Sequence, residues 1–99
     1  MNNKIYKKIL KMLRMFHFEV KYVLNIEEYN FGEGIVIYYG INDPVCIKVQ
    51  QMDNVNYNLQ ILNTDTGYVY NIPVMGYSNK EILQILAFWI GMKFGIKLN

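Results

Sequence analysis

The chain has 99 residues, of which 53% are hydrophobic and 18% are charged, and its formal net charge is +2. This length suits one domain over residues 1–99, and the high content of aliphatic and aromatic residues excludes an intrinsically disordered chain. A single cysteine, Cys46, excludes an intrachain disulfide.

The N-terminal residues predict an amphipathic helix over 4–16. Ile5, Ile9 and Leu13 recur at the spacing of one helix face, with Met12 and Phe16 beside them. The other face is wholly basic and carries Lys4, Lys7, Lys8, Lys11 and Arg14. Cations at this period, in place of an unbroken apolar run, are not the pattern of a secretory signal, so we expect a cytoplasmic protein.

Five strands are predicted. Alternating apolar residues indicate the strands at 18–24, 57–61 and 68–74. Residues 34–39 are apolar on both faces, which indicates a central strand, and the turn at 42–44 predicts that 45–51 returns antiparallel to it. Residues 25–33 are predicted to be a loop, and reversals rich in Asn, Asp, Thr, Pro and Gly separate the later strands. Because these reversals are short, we expect an antiparallel meander, with Pro73 ending the last strand or placing it at a sheet edge.

The last predicted element is a helix that is apolar nearly all round. Ser78 and Glu81 form the capping-box pattern that starts a helix, and Gly95 is placed to stop it. The order is therefore α-β-β-β-β-β-α, and we expect an α+β fold with both helices on one face of the sheet.

Apolar residues are also expected on surfaces that the helices do not cover. If the alternating residues from Phe18 to Leu24 face the helices, the open face of the sheet includes Val23, Cys46, Leu62 and Val69. The central strand adds Ile35, Ile37 and Tyr39, or their neighbours, to that face. The last helix has more apolar surface than one sheet face covers, which leaves Phe88, Met92 and Phe94.

Residues with catalytic or metal-binding chemistry are few. A nucleophile needs an adjacent base that a third group orients, and the candidates are Ser78, Cys46 and His17. Ser78 suits a helix cap, Cys46 falls inside a strand, and His17 lies at a helix-to-strand junction. One His and one Cys cannot supply three or four zinc ligands. We therefore expect no enzymatic activity, no metal and no cofactor.

The leading hypothesis is a non-enzymatic protein–protein interaction module. Contiguous apolar surface on a small protein usually marks an interface, and large aromatic residues contribute most to its binding energy. The candidate partner-binding residues are Tyr39, Tyr70, Phe88, Trp89 and Met92. The expected partner is another protein or a second copy of the chain, with no insertion into a membrane. In size and composition the chain resembles small inhibitors encoded by phages and mobile elements, including anti-CRISPR proteins.

A nucleic-acid-binding or regulatory domain is the alternative hypothesis. Residues 1–21 hold six of the ten Lys and Arg residues but one acid, Glu19. The cations of the first helix, Lys4, Lys7, Lys8, Lys11 and Arg14, would then contact phosphates. Two other interpretations need no nucleic acid: this face is solvated, or it pairs with Glu27, Glu28 and Glu33 of the following loop.

Overall fold

A computed structural model describes residues 3–40, 44–53, 56–75 and 79–95 of the chain. Its helices and strands are α1 (Asn3–Met15), β1 (Glu19–Ile26), β2 (Gly32–Tyr38), β3 (Val45–Gln51), β4 (Tyr57–Asn63), β5 (Tyr68–Val74) and α2 (Asn79–Phe94). This order confirms the predicted α-β-β-β-β-β-α arrangement of an α+β fold. Ser78, the predicted cap of the last helix, lies outside the described residues.

The five strands form one antiparallel sheet in the order β1-β2-β3-β4-β5. Each strand therefore pairs with its neighbour in sequence, as expected for strands joined by short reversals. The two edge strands are β1 and β5. Pro73 lies in β5, at the edge that its missing N–H predicts.

Both helices pack on the same face of this sheet. Their fully buried residues recur every four positions and are Ile5, Ile9 and Leu13 in α1 and Ile82, Leu86 and Ile90 in α2. One core cluster joins these side chains to the cross-strand neighbours Ile35, Ile47 and Ile61. The helix period thus gives each helix a single buried stripe, and burying one such side chain contributes about 1.5–3 kcal/mol.

A Schellman arrangement around His17 ends α1. The amide of His17 donates to the carbonyl of Arg14 at 3.0 Å, and the amide of Phe18 donates to the carbonyl of Leu13 at 3.1 Å. His17 has φ +65°, the left-handed conformation that this motif requires. The junction histidine is therefore a helix cap, and α1 ends at Met15, one residue earlier than predicted.

The alternation of β1 breaks after Val23. Val23 pairs with Gly34, whereas Ile26 pairs with Gly32, so the register shifts within this stretch. Leu24, predicted to face the helices, is 74% exposed. That prediction is wrong because a bulge moves the side chains that follow it out of alternation. Ile26 packs on the opposite face of the sheet.

Residues 27–31 pass over the sheet face opposite the helices, and we call this segment the strap. It contains a turn of 3-10 helix, Glu28–Asn30. Phe31 is buried in a second apolar cluster with Ile26, Val36, Cys46 and Leu62, against which Val23, Tyr38 and Val69 pack. The open apolar face predicted from the alternation is therefore partly covered by the chain itself, because a loop here folds onto the sheet.

Strand β2 divides its apolar residues between the two faces. Ile35 and Ile37 lie on the helix side, and Val36 lies on the strap side with Tyr38 packed beside it. Strand β2, which was predicted to be central, therefore adds Val36 and Tyr38, and not Ile35 and Ile37, to the strap side. Tyr39 follows β2 instead of lying in it.

Beyond the strap, the same face of the sheet carries amide side chains. The side-chain amides of Asn58 and Gln60 both donate to Asn71 Oδ1, at 3.0 and 3.1 Å. These hydrogen bonds link β4 to the edge strand β5, which leaves this part of the face polar.

Candidate interaction surface

The outward face of α2 exposes two large apolar side chains. Phe88 and Met92 are each 71% exposed and lie one helical turn apart. The buried stripe of α2 already contacts the sheet, and one sheet face cannot cover a helix that is apolar nearly all round. The sequence-based expectation that Phe88 and Met92 remain uncovered is therefore confirmed.

A row of aromatic rings extends this surface onto the edge strand. The ring centroid of Trp89 lies 5.6 Å from that of Tyr70, and the rings of Tyr70 and Tyr68 are 4.5 Å apart. Tyr70 is 39% exposed and Tyr68 is 59% exposed. Met92 lies three residues after Trp89 and four after Phe88, so it neighbours both on the helix surface. We call these five residues, Tyr68, Tyr70, Phe88, Trp89 and Met92, the α2–β5 patch.

Tyr39, the remaining candidate contact residue, lies in a second aromatic cluster. Its ring is 5.4 Å from that of Phe18 and 4.8 Å from that of Phe94, near the C-terminal end of α2. Phe94, which the sequence suggested would remain uncovered, is half-buried in this cluster. The structure therefore brings Tyr70, Phe88, Trp89 and Met92 together and places Tyr39 with another group of rings.

Tyr68 belongs to the patch although it was not among the candidate contact residues. It shares the helix-facing side of β5 with Tyr70, but α2 leaves it exposed because β5 is an edge strand. The order of the strands could have indicated this exposure, because the last strand of a meander has a neighbouring strand on one side only. Met75, the residue after β5, is also exposed.

The patch carries no charged side chain. Strand β5, from Tyr68 to Val74, contains none, and the charged residues of α2 are Lys80 and Glu81 near its start and Lys93 near its end. Charged residues are depleted at the centres of protein interfaces, where aromatic residues and Met are enriched. The composition of the α2–β5 patch therefore matches that of an interface centre.

The basic face of α1 is a second exposed surface. Lys4, Lys7, Lys8, Lys11 and Arg14 are all exposed. Three of them, with Leu10 and Met15, line a shallow groove of 510 Å³. All five cations are on the outer side of a helix that packs on one face of the sheet.

The acids that could pair with these cations lie in two places. Glu27 and Glu28 line a pocket on the strap side of the sheet, the face opposite α1. Glu33 accepts a hydrogen bond from the hydroxyl of Tyr22, whose ring lies 5.5 Å from that of Tyr6 in α1. Among the described residues, pairing of the basic face with Glu27 and Glu28 therefore has no support, whereas Glu33 lies on the same side of the sheet as α1.

Two of the three nucleophile candidates, Cys46 and His17, lie in the described part of the chain. Cys46 is 2% exposed, and burial, together with the charge of Glu28, raises the pKa of its thiol to about 11. The thiol is therefore protonated at neutral pH, whereas the thiolate is the reactive form. His17 caps α1, and no group of three or more His, Cys, Asp or Glu residues in the described part of the chain is arranged to hold a metal ion.

Comparison with protein-family models, with curated proteins and with solved structures finds no match to this chain. Within residues 3–40, 44–53, 56–75 and 79–95, no helix combines the length and the apolar character needed to cross a membrane. Function is therefore inferred from the exposed surfaces described above.

Proposed function

We propose that this protein is a non-enzymatic interaction module that binds a partner protein through the α2–β5 patch. The observation that carries the proposal is the 71% exposure of both Phe88 and Met92 beside a continuous row of aromatic rings. Exposed apolar side chains scattered singly are ordinary on protein surfaces, whereas a contiguous group of this kind usually marks an interface.

The geometry of the patch supplies the binding energy. Trp89 and Tyr70 are held in place by their mutual ring contact, so little side-chain entropy is lost when a partner covers them. Aromatic residues fixed in this way are the usual hot spots, and Phe88 and Met92 add apolar area around them. Removal of this area from water favours association by roughly 25 cal/mol per Å² before the entropic cost of binding.

The mode of action that we propose is inhibition by occupation of a partner's surface, in the cytoplasm. A small inhibitor from a phage or mobile element, similar in style to anti-CRISPR proteins, needs no catalytic group, since its effect depends on affinity alone. A second copy of this chain is the other protein that could cover the patch.

Oligomeric state is the first test of the proposal. Size-exclusion chromatography with light scattering, at about 0.1 M and about 1 M salt, compares the wild-type chain with Phe88→Ala/Met92→Ala. A salt-resistant dimer that becomes a monomer in this variant identifies a second copy as the partner. A wild-type monomer leaves the patch available to a different protein.

If the wild-type chain is a monomer, capture of partner proteins tests the proposal. The matched control is Met15→Ala/Leu24→Ala, which removes comparable exposed apolar area from α1 and β1. The patch variant is expected to lose a specific partner that both the wild-type chain and the control retain. Equal retention by both variants would contradict the proposal. The free energies of unfolding of both variants should lie within about 0.5 kcal/mol of the wild-type value, because the changed side chains are largely exposed.

Nucleic-acid binding by the basic face of α1 is a second candidate function. It is favoured by the exposure of all five cations and by the location of Glu27 and Glu28 on the opposite side of the sheet. Binding to a short DNA duplex, measured by fluorescence anisotropy, should then weaken log-linearly with salt. Lys7→Glu/Lys11→Glu should abolish it, whereas Lys80→Glu/Lys93→Glu, the same charge change on α2, should reduce it far less.

A further inference from the structure

A pocket of 360 Å³ lies on the strap side of the sheet. Val23, Val36 and Cys46 line it with apolar surface from β1, β2 and β3, and Pro44 and Thr64 line it from the chain beyond these strands. Its volume is within the range of about 300–1,000 Å³ that is usual for small-molecule sites. The pocket is separate from the α2–β5 patch, since the two are on opposite faces of the sheet.

The strap that borders this pocket has a strained backbone. Tyr29 and Asn30 are consecutive non-glycine residues with φ +55° and +54°. The left-handed region costs a residue such as Tyr29 roughly 1–2 kcal/mol, whereas Asn adopts it more readily. Backbone strain of this kind persists only where surrounding contacts fix it, and it is concentrated at ligand-binding and active sites.

The contact that fixes the strap is between Tyr29 and Gly67. A Cβ atom added to Gly67 would lie 2.7 Å from Cε1 of Tyr29, so the ring packs directly on the glycine backbone. At the end of the strap, the ammonium of Lys48 donates to the carbonyl of Phe31. The strap is therefore held at its middle by the turn before β5 and at its end by β3, and the acids at its start lie beside the pocket.

More negative than positive side chains line the pocket. Glu27 and Glu28 line it from the strap side, and Lys21 lines it from β1. The ammonium of Lys21 lies 5.8 Å from the ring centroid of Tyr38, on the wall of the pocket. The charge of Glu28 reaches the pocket floor, where it helps to raise the pKa of the Cys46 thiol. The two carboxylates outnumber the one cation, which favours a positively charged ligand.

We propose that this pocket binds a small primary amine with an apolar, ring-sized body, the chemical class of the arylalkylamines. The apolar body packs on the half-buried side chains of Val23 and Tyr38, above the pocket floor, and the ammonium lies between the carboxylates of Glu27 and Glu28. This site does not depend on the interaction proposed for the α2–β5 patch.

Titration of the full chain with tryptamine, followed by two-dimensional NMR of its backbone amides, tests the site. Shifts are expected at residues 21–28, 36 and 46, with saturation. Tryptophol, which replaces the ammonium with a hydroxyl, and indole-3-propionate, which is an anion, should bind at least roughly tenfold more weakly, since a hydrogen bond to a charged group contributes about that factor.

The decisive comparison is between two carboxylate-removing variants. Glu27→Gln/Glu28→Gln should weaken tryptamine binding about tenfold, whereas Glu81→Gln, on the exposed start of α2, should leave it unchanged. Equal binding of tryptamine and tryptophol, equal effects of the two variants, stronger binding of the anion, or shifts confined to the α2–β5 patch would each overturn the proposal. The amide spectra of both variants report whether they remain folded.

Discussion

The hydroxyl of Tyr6 in α1 accepts a hydrogen bond from the backbone amide of Val49 in β3, at 3.1 Å. The pairing of β2 with β3 extends from Ile37 and Val45 to Ile35 and Ile47 and no further among the described residues. Val49 lies beyond this pairing, so a side chain from the helix layer supplies the acceptor that a neighbouring strand would normally provide. One hydroxyl thus links α1 to the interior of the sheet.

Removal of this hydroxyl should destabilise the fold. Tyr6→Phe keeps the ring but leaves the buried amide of Val49 without its acceptor, which costs about 1–3 kcal/mol. Urea denaturation measures the loss, and hydrogen exchange at Val49 should accelerate. The control is Tyr68→Phe, which removes an exposed hydroxyl and should change the free energy of unfolding by less than about 0.5 kcal/mol. Equal effects of the two changes would show that the hydrogen bond contributes nothing.

Stability should fall in alkaline solution through Tyr22. Burial, followed by the hydrogen bond to Glu33, raises the pKa of Tyr22 to about 12 from an ordinary value of 10.0. In the unfolded chain Tyr22 ionises near pH 10, while in the folded chain it stays neutral. The contribution of neutral Tyr22 to the free energy of unfolding is therefore complete below pH 10 and is lost as the pH rises towards 12. Burial raises the pKa of Tyr6 as well, so both residues act in the same direction.

Urea midpoints measured between pH 9 and pH 12 test this dependence. Tyr22→Phe should flatten the decline, because Phe has no proton to lose. Tyr68→Phe should leave the slope as it is in the wild-type chain. If the urea midpoint of Tyr22→Phe declines with pH as steeply as that of the wild-type chain, other groups account for the loss of stability in alkaline solution.

Replacement of His17 by glycine should stabilise the protein. His17 is exposed and has φ +65°, a conformation that costs a residue with a Cβ roughly 1 kcal/mol more than glycine. His17→Gly is expected to raise the free energy of unfolding by about 0.5–1 kcal/mol in thermal or urea denaturation. His17→Ala retains the Cβ and should give no gain. A loss of stability in the glycine variant would indicate that the imidazole itself has a role.

Alanine substitutions at two glycines with positive φ distinguish the cost of backbone strain from the cost of disturbing the contact that holds the strap. Gly40 has φ +58° and no described atom within 4 Å of an added Cβ, whereas at Gly67, with φ +77°, the Cβ would collide with Tyr29. Gly40→Ala should cost about 1 kcal/mol, and Gly67→Ala should cost more than Gly40→Ala, because the ring of Tyr29 must also move away from the added Cβ.

Displacement of the strap should also make Cys46 more reactive. The rate at which a thiol reagent labels Cys46 should rise in Gly67→Ala and stay near the wild-type rate in Gly40→Ala, because the strap covers the cluster that contains Cys46. Equal unfolding free energies and equal labelling rates in the two variants would show that Tyr29 does not hold the strap in place.

The order of elements and the meander followed from local features of the sequence. The period of α1, the alternation in β4 and β5, and the short reversals between the strands are properties of neighbouring residues, and they leave few ways to arrange five strands. The exposure of Phe88 and Met92 could also be anticipated, because a helix that is apolar all round exceeds what one sheet face can cover. Gly95 was correctly placed just after the end of α2.

Tertiary contacts decided the features that depend on residues far apart in the chain. The bulge that exposes Leu24 depends on how β1 pairs with β2, and the path of the strap depends on Tyr29 meeting Gly67. The separation of Tyr39 from Tyr70 depends on where α2 crosses the sheet. By itself the sequence determined which segments are helices and strands, because those preferences are local. Only the tertiary structure decided which apolar residues remain exposed, because exposure depends on what covers each side chain.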